Sequence, residues 1–133
     1  MGNMAIVAFL PGHLAAQMPT LSTDVRIGRE YAQKLWAKHG LGHGSFRLFQ
    51  PAIDHGWCAK SRDNGLDFIY IDSSRAYIDA RGEPVRFILG LKSARGGQET
   101  WVTTLHPSTE QQVRRRLRRA TDSGRLIRAH SWA

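Results

Sequence analysis

The chain has 133 residues, and its 19 Lys and Arg against 11 Asp and Glu give a formal net charge of +8 before any of the six histidines is protonated. This length, with 41% hydrophobic residues, is enough for one core and excludes general disorder. The apolar run near the start, residues 5–10, is far shorter than the ~20 residues that span a bilayer, so we expect no membrane partner.

Cysteine and histidine usage limits the available chemistry. Cys58 is the single cysteine, which excludes an internal disulfide framework and any zinc site that needs paired thiolates. The histidines also lack the patterned spacing of a metal site on one element. We therefore predict no metal and no cofactor, and a reducing compartment, the cytoplasm, as the location.

No internal repeat or change in composition divides the chain. We predict a single domain over residues 1–133, with a lead-in arm at 1–21, a core at 22–120 and a tail at 121–133. The arm is inferred from Pro, Gly, Ser and Thr residues that follow residue 10 without a sustained pattern.

Helical patterns dominate the first part of the core. Residues 25–27 alternate like a short strand, and apolar residues at helical spacing predict a helix over Arg29–His39. Residues 46–55 predict a second helix with a mostly apolar face. Because Pro51 lies inside this second helix, a kink or two shorter turns are equally open.

Strand patterns follow. Four segments are rich in Val, Ile, Phe, Tyr, Trp and Thr: 66–71, 76–80, 85–92 and 99–106. The short turns between them favour hairpins and hence an antiparallel sheet. Ser108 followed by Gln111 predicts a capping box that opens a last helix, which ends near residue 120. The predicted fold class is α+β: N-terminal helices packed on a four- to five-stranded antiparallel sheet, with a basic C-terminal helix.

Polar side chains collect on the last predicted hairpin. Thr104 and His106 are two residues apart and share a face, while Lys92 ends the partner strand in a register that the sequence leaves open. A polar sheet face that meets only water explains the same pattern. The residue types also suit cleavage of RNA by its own 2′-hydroxyl, which needs a base, an acid and cations that hold the phosphoryl charge. Lys92 or Arg95 would supply the cation, and this chemistry requires no divalent ion.

Several segments resemble one family. They are Val25-Arg26-Ile27, a helix that ends Ala37-Lys38-His39, the segment 46–56, Leu66-Asp67-Phe68, a strand that ends in Lys92, and Glu99-Thr100-Trp101-Val102-Thr103-Thr104-Leu105. Over residues 22–120 they resemble the phage-associated barnase/EndoU/colicin/RelE-like (BECR fold) nuclease domains. The resemblance implies a small α+β, metal-independent ribonuclease of phage proteins and polymorphic toxins. It implicates His39, Lys92 and Thr103 or Thr104 as catalytic, and His106 is added for its chemistry alone.

The last predicted helix carries much of the charge. Residues 107–133 hold seven Arg and two acidic residues, so they contribute +5 of the total +8. Arg115, Arg118 and Arg119 fall opposite a narrow apolar stripe, and we predict that they bind RNA together with Arg95. An acidic immunity or antitoxin protein is the next candidate partner. The small apolar face disfavours a membrane surface.

The sequence thus predicts a metal-independent endoribonuclease that leaves a 2′,3′-cyclic phosphate, with tRNA among its candidate substrates. It would act in the cytoplasm, either of its own cell or of a target cell into which it is delivered. The predicted catalytic residues are His39, Lys92, Thr103, Thr104 and His106. The alternative is a non-catalytic nucleic-acid-binding module of a phage-derived or toxin–antitoxin system.

Overall fold

The strands form one sheet whose order does not follow the sequence. The computed structural model of the chain describes residues 4–18, 20–39, 43–61, 64–72 and 77–129. The elements in these ranges are β1 (Met4–Phe9), α1 (Gly12–Gln17), β2 (Asp24–Gly28), α2 (Arg29–His39), a 3₁₀ helix (His43–Leu48), α3 (Phe49–His55), β3 (Trp57–Lys60), β4 (Gly65–Ile71), β5 (Arg86–Ala94), β6 (Glu99–Ser108), α4 (Glu110–Asp122) and β7 (Leu126–Arg128). The seven described strands pair in the order β1-β2-β6-β5-β4-β3-β7.

The predicted α+β fold with four to five antiparallel strands is wrong. β2 runs parallel to β6, with Val25 opposite Thr100 and Arg26 opposite Trp101, so the sheet is mixed and the fold is α/β. Helices and the β3–β4–β5 segment separate β2 from β6 along the chain, which is the long connection that a parallel pair needs. Turn signals predict hairpins, but they carry no information about this distant pair.

The sequence patterns also miss short elements. β1 and α1 occupy residues predicted as a lead-in arm, and β7 lies in the predicted tail. β3 and β7 have four and three residues, too few for an alternating pattern to be recognised. The strand predicted at 76–80 is wrong: in its described part, Ile78 forms only an isolated bridge to Pro84.

The sheet separates two helical layers. On one face, Phe68 of β4 and Phe87 of β5 join buried side chains from α1, α2 and α3 in the larger core. On the other face, Ile69 and Ile88 pack against Val113 of α4. Strand residues two apart share a face, so this alternation assigns each side chain of β4 and β5 to one layer. The second, smaller core positions α4 over β3, β4 and β5.

Of two predicted helices, one forms as a single helix and the other forms as two shorter helical segments. The helix predicted over Arg29–His39 is confirmed as α2. The segment 46–55 forms the end of the 3₁₀ helix and then α3, so the alternative of two shorter turns is confirmed. Pro51 is the third residue of α3, where its missing N–H would have no partner within the helix anyway.

The capping box of α4 lies one residue later than predicted. Thr109 Oγ1 accepts a hydrogen bond of 3.2 Å from Gln112 N, and the Gln112 side chain accepts one from Thr109 N. Ser108 cannot cap the helix because it still belongs to β6 and pairs with Arg86. α4 has 13 residues, and none of the described helices is long and apolar enough to cross a membrane.

Candidate functional site

A bulge in β6 turns two consecutive threonines toward α4. The register of β5 against β6 shifts between Gly90 and Leu91, which leaves Thr103 as an extra residue in β6. An ideal Cβ at Gly90 would lie 2.8 Å from Thr104 Cγ2 and 3.0 Å from Thr103 Oγ1. Because Leu91 points into the larger core, Gly90 and both threonines lie on the opposite, α4-facing side of the sheet.

His106 shares this face with Thr104. The Oγ1 atom of Thr104 lies 3.0 Å from Nδ1 of His106, within hydrogen-bonding distance. Both side chains are half-buried. A hydrogen bond at one ring nitrogen orients the imidazole and selects which nitrogen carries the proton. The structure therefore brings together two of the predicted site residues, as their two-residue spacing in a strand requires.

Asp67 of β4 also lies beside Gly90, on the side opposite to the threonines of β6. Its Oδ1 would lie 3.4 Å from an ideal Cβ at Gly90, and its Oδ2 is 3.7 Å from Nη1 of Arg116 on α4. Burial raises the pKa of the Asp67 carboxyl group, and the Arg116 guanidinium opposes that rise. A carboxyl group with a raised pKa is a stronger base when ionised than an exposed one. Asp67 is thus a candidate for proton transfer.

An open cleft of about 600 Å³ lies between α4 and the sheet, lined in part by Asp67 and His106. Its charged lining consists of one acidic and five basic residues among those described: Asp67, Lys60, Arg115, Arg116, Arg119 and Arg125. Low-dielectric walls lined mainly by one sign of charge concentrate ions of the opposite sign. The cleft therefore favours a polyanion.

The arginines of α4 divide into two groups. Arg114 is 2.7 Å from a Glu110 carboxylate oxygen, and Arg116 faces Asp67. None of the described acidic residues pairs with the other three: Arg115, Arg118 and Arg119. Unpaired like charges on one helix repel each other, so a bound anion would relieve that repulsion.

The predicted RNA-binding residues do not all lie together. Arg115 and Arg119 line the cleft, but Arg118 lies on the other flank of α4, beside Arg114. Arg95 lies in the β5–β6 turn, and its Nε is 3.2 Å from Oε1 of Glu99.

Two predicted catalytic residues lie away from the cleft lining. Lys92 is exposed on the α4-facing side, two residues beyond Gly90 in β5, and pairs with Trp101. It is not among the described residues that line the cleft. The side chain of His39 lies outside the described part of the chain.

Sequence reasoning missed Asp67 and Arg116. The sequence did hold a signal for Asp67: it is the one charged residue in a strand whose neighbours are apolar. A carboxylate at such a position is costly to bury unless it has a partner or a function. For Arg116 there was no comparable signal, because only the tertiary packing of α4 selects which arginines face the sheet.

Within the described ranges, no group of three His, Cys, Asp or Glu side chains is placed to hold a metal ion. No family model, curated protein or solved structure matches this chain. Its function is therefore inferred from the chemistry of the cleft.

Proposed function

We propose that this protein is an endoribonuclease that cleaves RNA in the cleft between α4 and the sheet. One observation carries the proposal: the Thr104–His106 pair and the Asp67 carboxyl group adjoin a cleft whose charged lining is mostly cationic. Groups that can transfer protons and groups that can bind phosphate are thereby within reach of one substrate.

In the proposed reaction the 2′ oxygen of RNA attacks the adjacent phosphorus while the bond from phosphorus to the 5′ oxygen breaks. The products are a 2′,3′-cyclic phosphate and a 5′-hydroxyl end. Asp67 accepts the proton of the 2′-hydroxyl, since burial makes its carboxylate a stronger base. His106 in its protonated form gives a proton to the departing 5′ oxygen, since an imidazolium can act as a general acid. Every proton and bond is accounted for without a divalent ion.

The remaining polar groups would hold the phosphoryl oxygens. The Thr103 hydroxyl lies over Gly90, between Asp67 and His106 in the sheet, and the Thr104 hydroxyl lies beside His106. Arg116 and Arg119 face this region from α4. Donors and cations aimed at the oxygens where negative charge accumulates stabilise the transition state more than the ground state.

The test is incubation of the protein with mixed RNA in EDTA, with analysis of the new ends. We expect 2′,3′-cyclic phosphate ends, and a rate at least about 100-fold lower for His106→Ala, which is typical of loss of a general acid. His13→Ala is the matched control, because His13 is exposed on α1 in the opposite helical layer. RNA that stays intact, or cleavage that survives His106→Ala unchanged, would overturn the proposal.

A non-catalytic RNA-binding module is the second candidate. The observation that favours it is that basic residues continue outside the cleft, where Arg114 and Arg118 lie on the other flank of α4. A surface that only docks on phosphates needs such continuity and no proton transfer. Binding that weakens steeply with salt while RNA stays intact would support this candidate. An acidic inhibitor protein that covers the same arginines stays a prediction.

A further inference from the structure

α4 covers only part of the sheet face on which the cleft lies. Its side chains pack on Trp57, Ile69 and Ile88, which belong to β3, β4 and β5. On the same face, β1 and β2 lie beyond β6, and Ile6 of β1 is 48% exposed. Among the described residues, this half of the face has no helical cover. It is continuous with the proposed active site through β6.

A row of four paired residues crosses this uncovered half. Ile6 pairs with Arg26, Arg26 with Trp101, and Trp101 with Lys92. Val25 and Ile27 point into the larger core, so Arg26 points to the uncovered side. Neighbouring strands are about 4.8 Å apart, which places the half-buried indole of Trp101 between a guanidinium-bearing and an ammonium-bearing side chain.

The carboxylate of Glu99 fixes the orientation of the Trp101 indole. Its Nε1 donates a hydrogen bond of 3.2 Å to Oε1 of Glu99, and the same oxygen lies 3.2 Å from Nε of Arg95. Glu99 is thus shared between the indole and the turn arginine. A ring oriented before binding loses little conformational entropy when another ring stacks on it.

Arg26 has an unmet hydrogen-bonding requirement. Its Nη1 is buried and has no hydrogen-bond partner in the described structure. An N–H of a charged group that is buried without an acceptor is costly, and such groups call for a specific explanation. Because Nη1 itself is closed off from solvent, a ligand would meet the accessible part of this half-buried side chain.

We infer that Arg26, Trp101 and Lys92 bind an unpaired nucleotide of single-stranded RNA, with its base stacked on the indole and its phosphates beside the two cations. Stacking on an aromatic ring requires a base whose face is accessible, which a duplex does not offer. From Trp101 to Thr104 the strand rises about 10 Å, so one RNA strand can lie across this subsite and the cleft. The inference rests on the proposed function, to which it adds the substrate class.

The test measures equilibrium binding of a short 2′-O-methylated single-stranded RNA, which cannot be cleaved, at one fixed salt concentration. We expect Trp101→Ala to weaken binding about tenfold or more, and Trp101→Phe, which keeps an aromatic ring, to weaken it much less. Binding of a double-stranded RNA of the same length should be unaffected by either variant. Equal affinity of wild type and Trp101→Ala for the single strand, or an equal loss for the duplex, would overturn the inference.

A second variant separates a loss of binding from a loss of folding. Arg26→Met removes the buried N–H groups, so we expect its melting temperature to equal or exceed that of the wild type, while its affinity for the single strand falls. Arg26→Met with unchanged affinity would contradict the inference. The two proposals fail in different ways. If RNA cleavage requires His106 and single-strand binding does not require Trp101, the nuclease proposal stands and the subsite is refuted. If single-strand binding requires Trp101 and no RNA is cleaved, the subsite stands and the nuclease proposal is refuted.

Discussion

Thr104 Oγ1 lies 3.0 Å from Nδ1 of His106, and both side chains are on the α4-facing side of β6. Their two-residue spacing puts both side chains on one face, and Leu105 between them points into the larger core, so that face is the α4-facing one. The bulge at Thr103 then puts Val102 in the larger core and Trp101 on the same face as the pair.

Replacement of Thr104 by Val removes this hydrogen bond and keeps the branched shape of the side chain. We expect RNA cleavage to slow about fivefold, since loss of one orienting hydrogen bond is worth about 1 kcal/mol. Single-turnover cleavage rates measure the effect. Thr121→Val is the control, because the Thr121 hydroxyl bonds only to a carbonyl within α4. Equal rates for the wild type and Thr104→Val would mean that the pair has no part in catalysis.

Gly90 permits the approach of the polar groups. A Cβ there would lie 2.8 Å from Thr104 Cγ2, so we expect Gly90→Ala to lower the free energy of unfolding by about 1–3 kcal/mol, as overpacking does. It should also reduce cleavage. At Gly12 the added Cβ would meet nothing within 4 Å, so Gly12→Ala should be neutral or slightly stabilising. Chemical denaturation of both variants gives the comparison, and equal stability would contradict the prediction.

Asp67 makes stability depend on pH. Burial raises its pKa in the folded protein above the unfolded value, so the folded state holds more protons between the two values and loses stability as pH rises through them. Asp67→Asn removes this loss. We expect the variant to gain stability relative to the wild type at neutral pH and to lose that advantage below pH 3.8, the ordinary Asp value. Denaturation at both pH values tests this. A variant that is less stable than the wild type at neutral pH would show that the Arg116 ion pair dominates.

Arginines on the two flanks of α4 should differ in how much they contribute to RNA binding. Arg119 lines the cleft and Arg118 does not. We expect Arg119→Gln to weaken RNA binding about tenfold and to lower the slope of log affinity against log salt by about one. Arg118→Gln should weaken RNA binding less and lower the slope less. Titrations at several salt concentrations provide the slopes, and equal effects of the two variants would favour the non-catalytic binding surface.

Cys58 reports on unfolding. It is buried in the larger core, and burial raises the pKa of its thiol to about 12. Because the thiolate is the reactive form, we expect iodoacetamide to alkylate the native protein at pH 8 far more slowly than the protein in guanidinium chloride. Mass spectrometry follows the reaction at this single cysteine. Similar rates in the two conditions would mean that β3 opens readily.

Much of the local structure could be predicted from the sequence. The α2 helix follows from apolar residues at helical spacing, and the strands β4, β5 and β6 follow from β-branched and aromatic residues between Gly-containing turns. These features depend on neighbours within a few residues, which the sequence displays directly. The same locality explains the capping error at α4, because β6 continues through Ser108 for reasons of pairing with β5.

The candidate site was only partly predictable. The two-residue spacing of Thr104 and His106 implied a shared face, and the arginine-rich segment implied an anion-binding helix. Neither spacing nor composition could show that Asp67 meets Arg116, because they are 49 positions apart and no local pattern links them.

The sequence by itself determined the basic charge, the existence of α2 and α4, and the residue types available for phosphate and proton chemistry. Only the tertiary structure decided the parallel β2–β6 pair, the bulge at Thr103 and the side of the sheet on which α4 lies. The physical reason is that these features arise from contacts between distant segments, where burial of apolar side chains and pairing of backbone groups override local preferences. The sequence gives the net charge of +8, but it is the packing of α4 on Ile69 and Ile88 that places five cationic side chains around one carboxylate in the cleft.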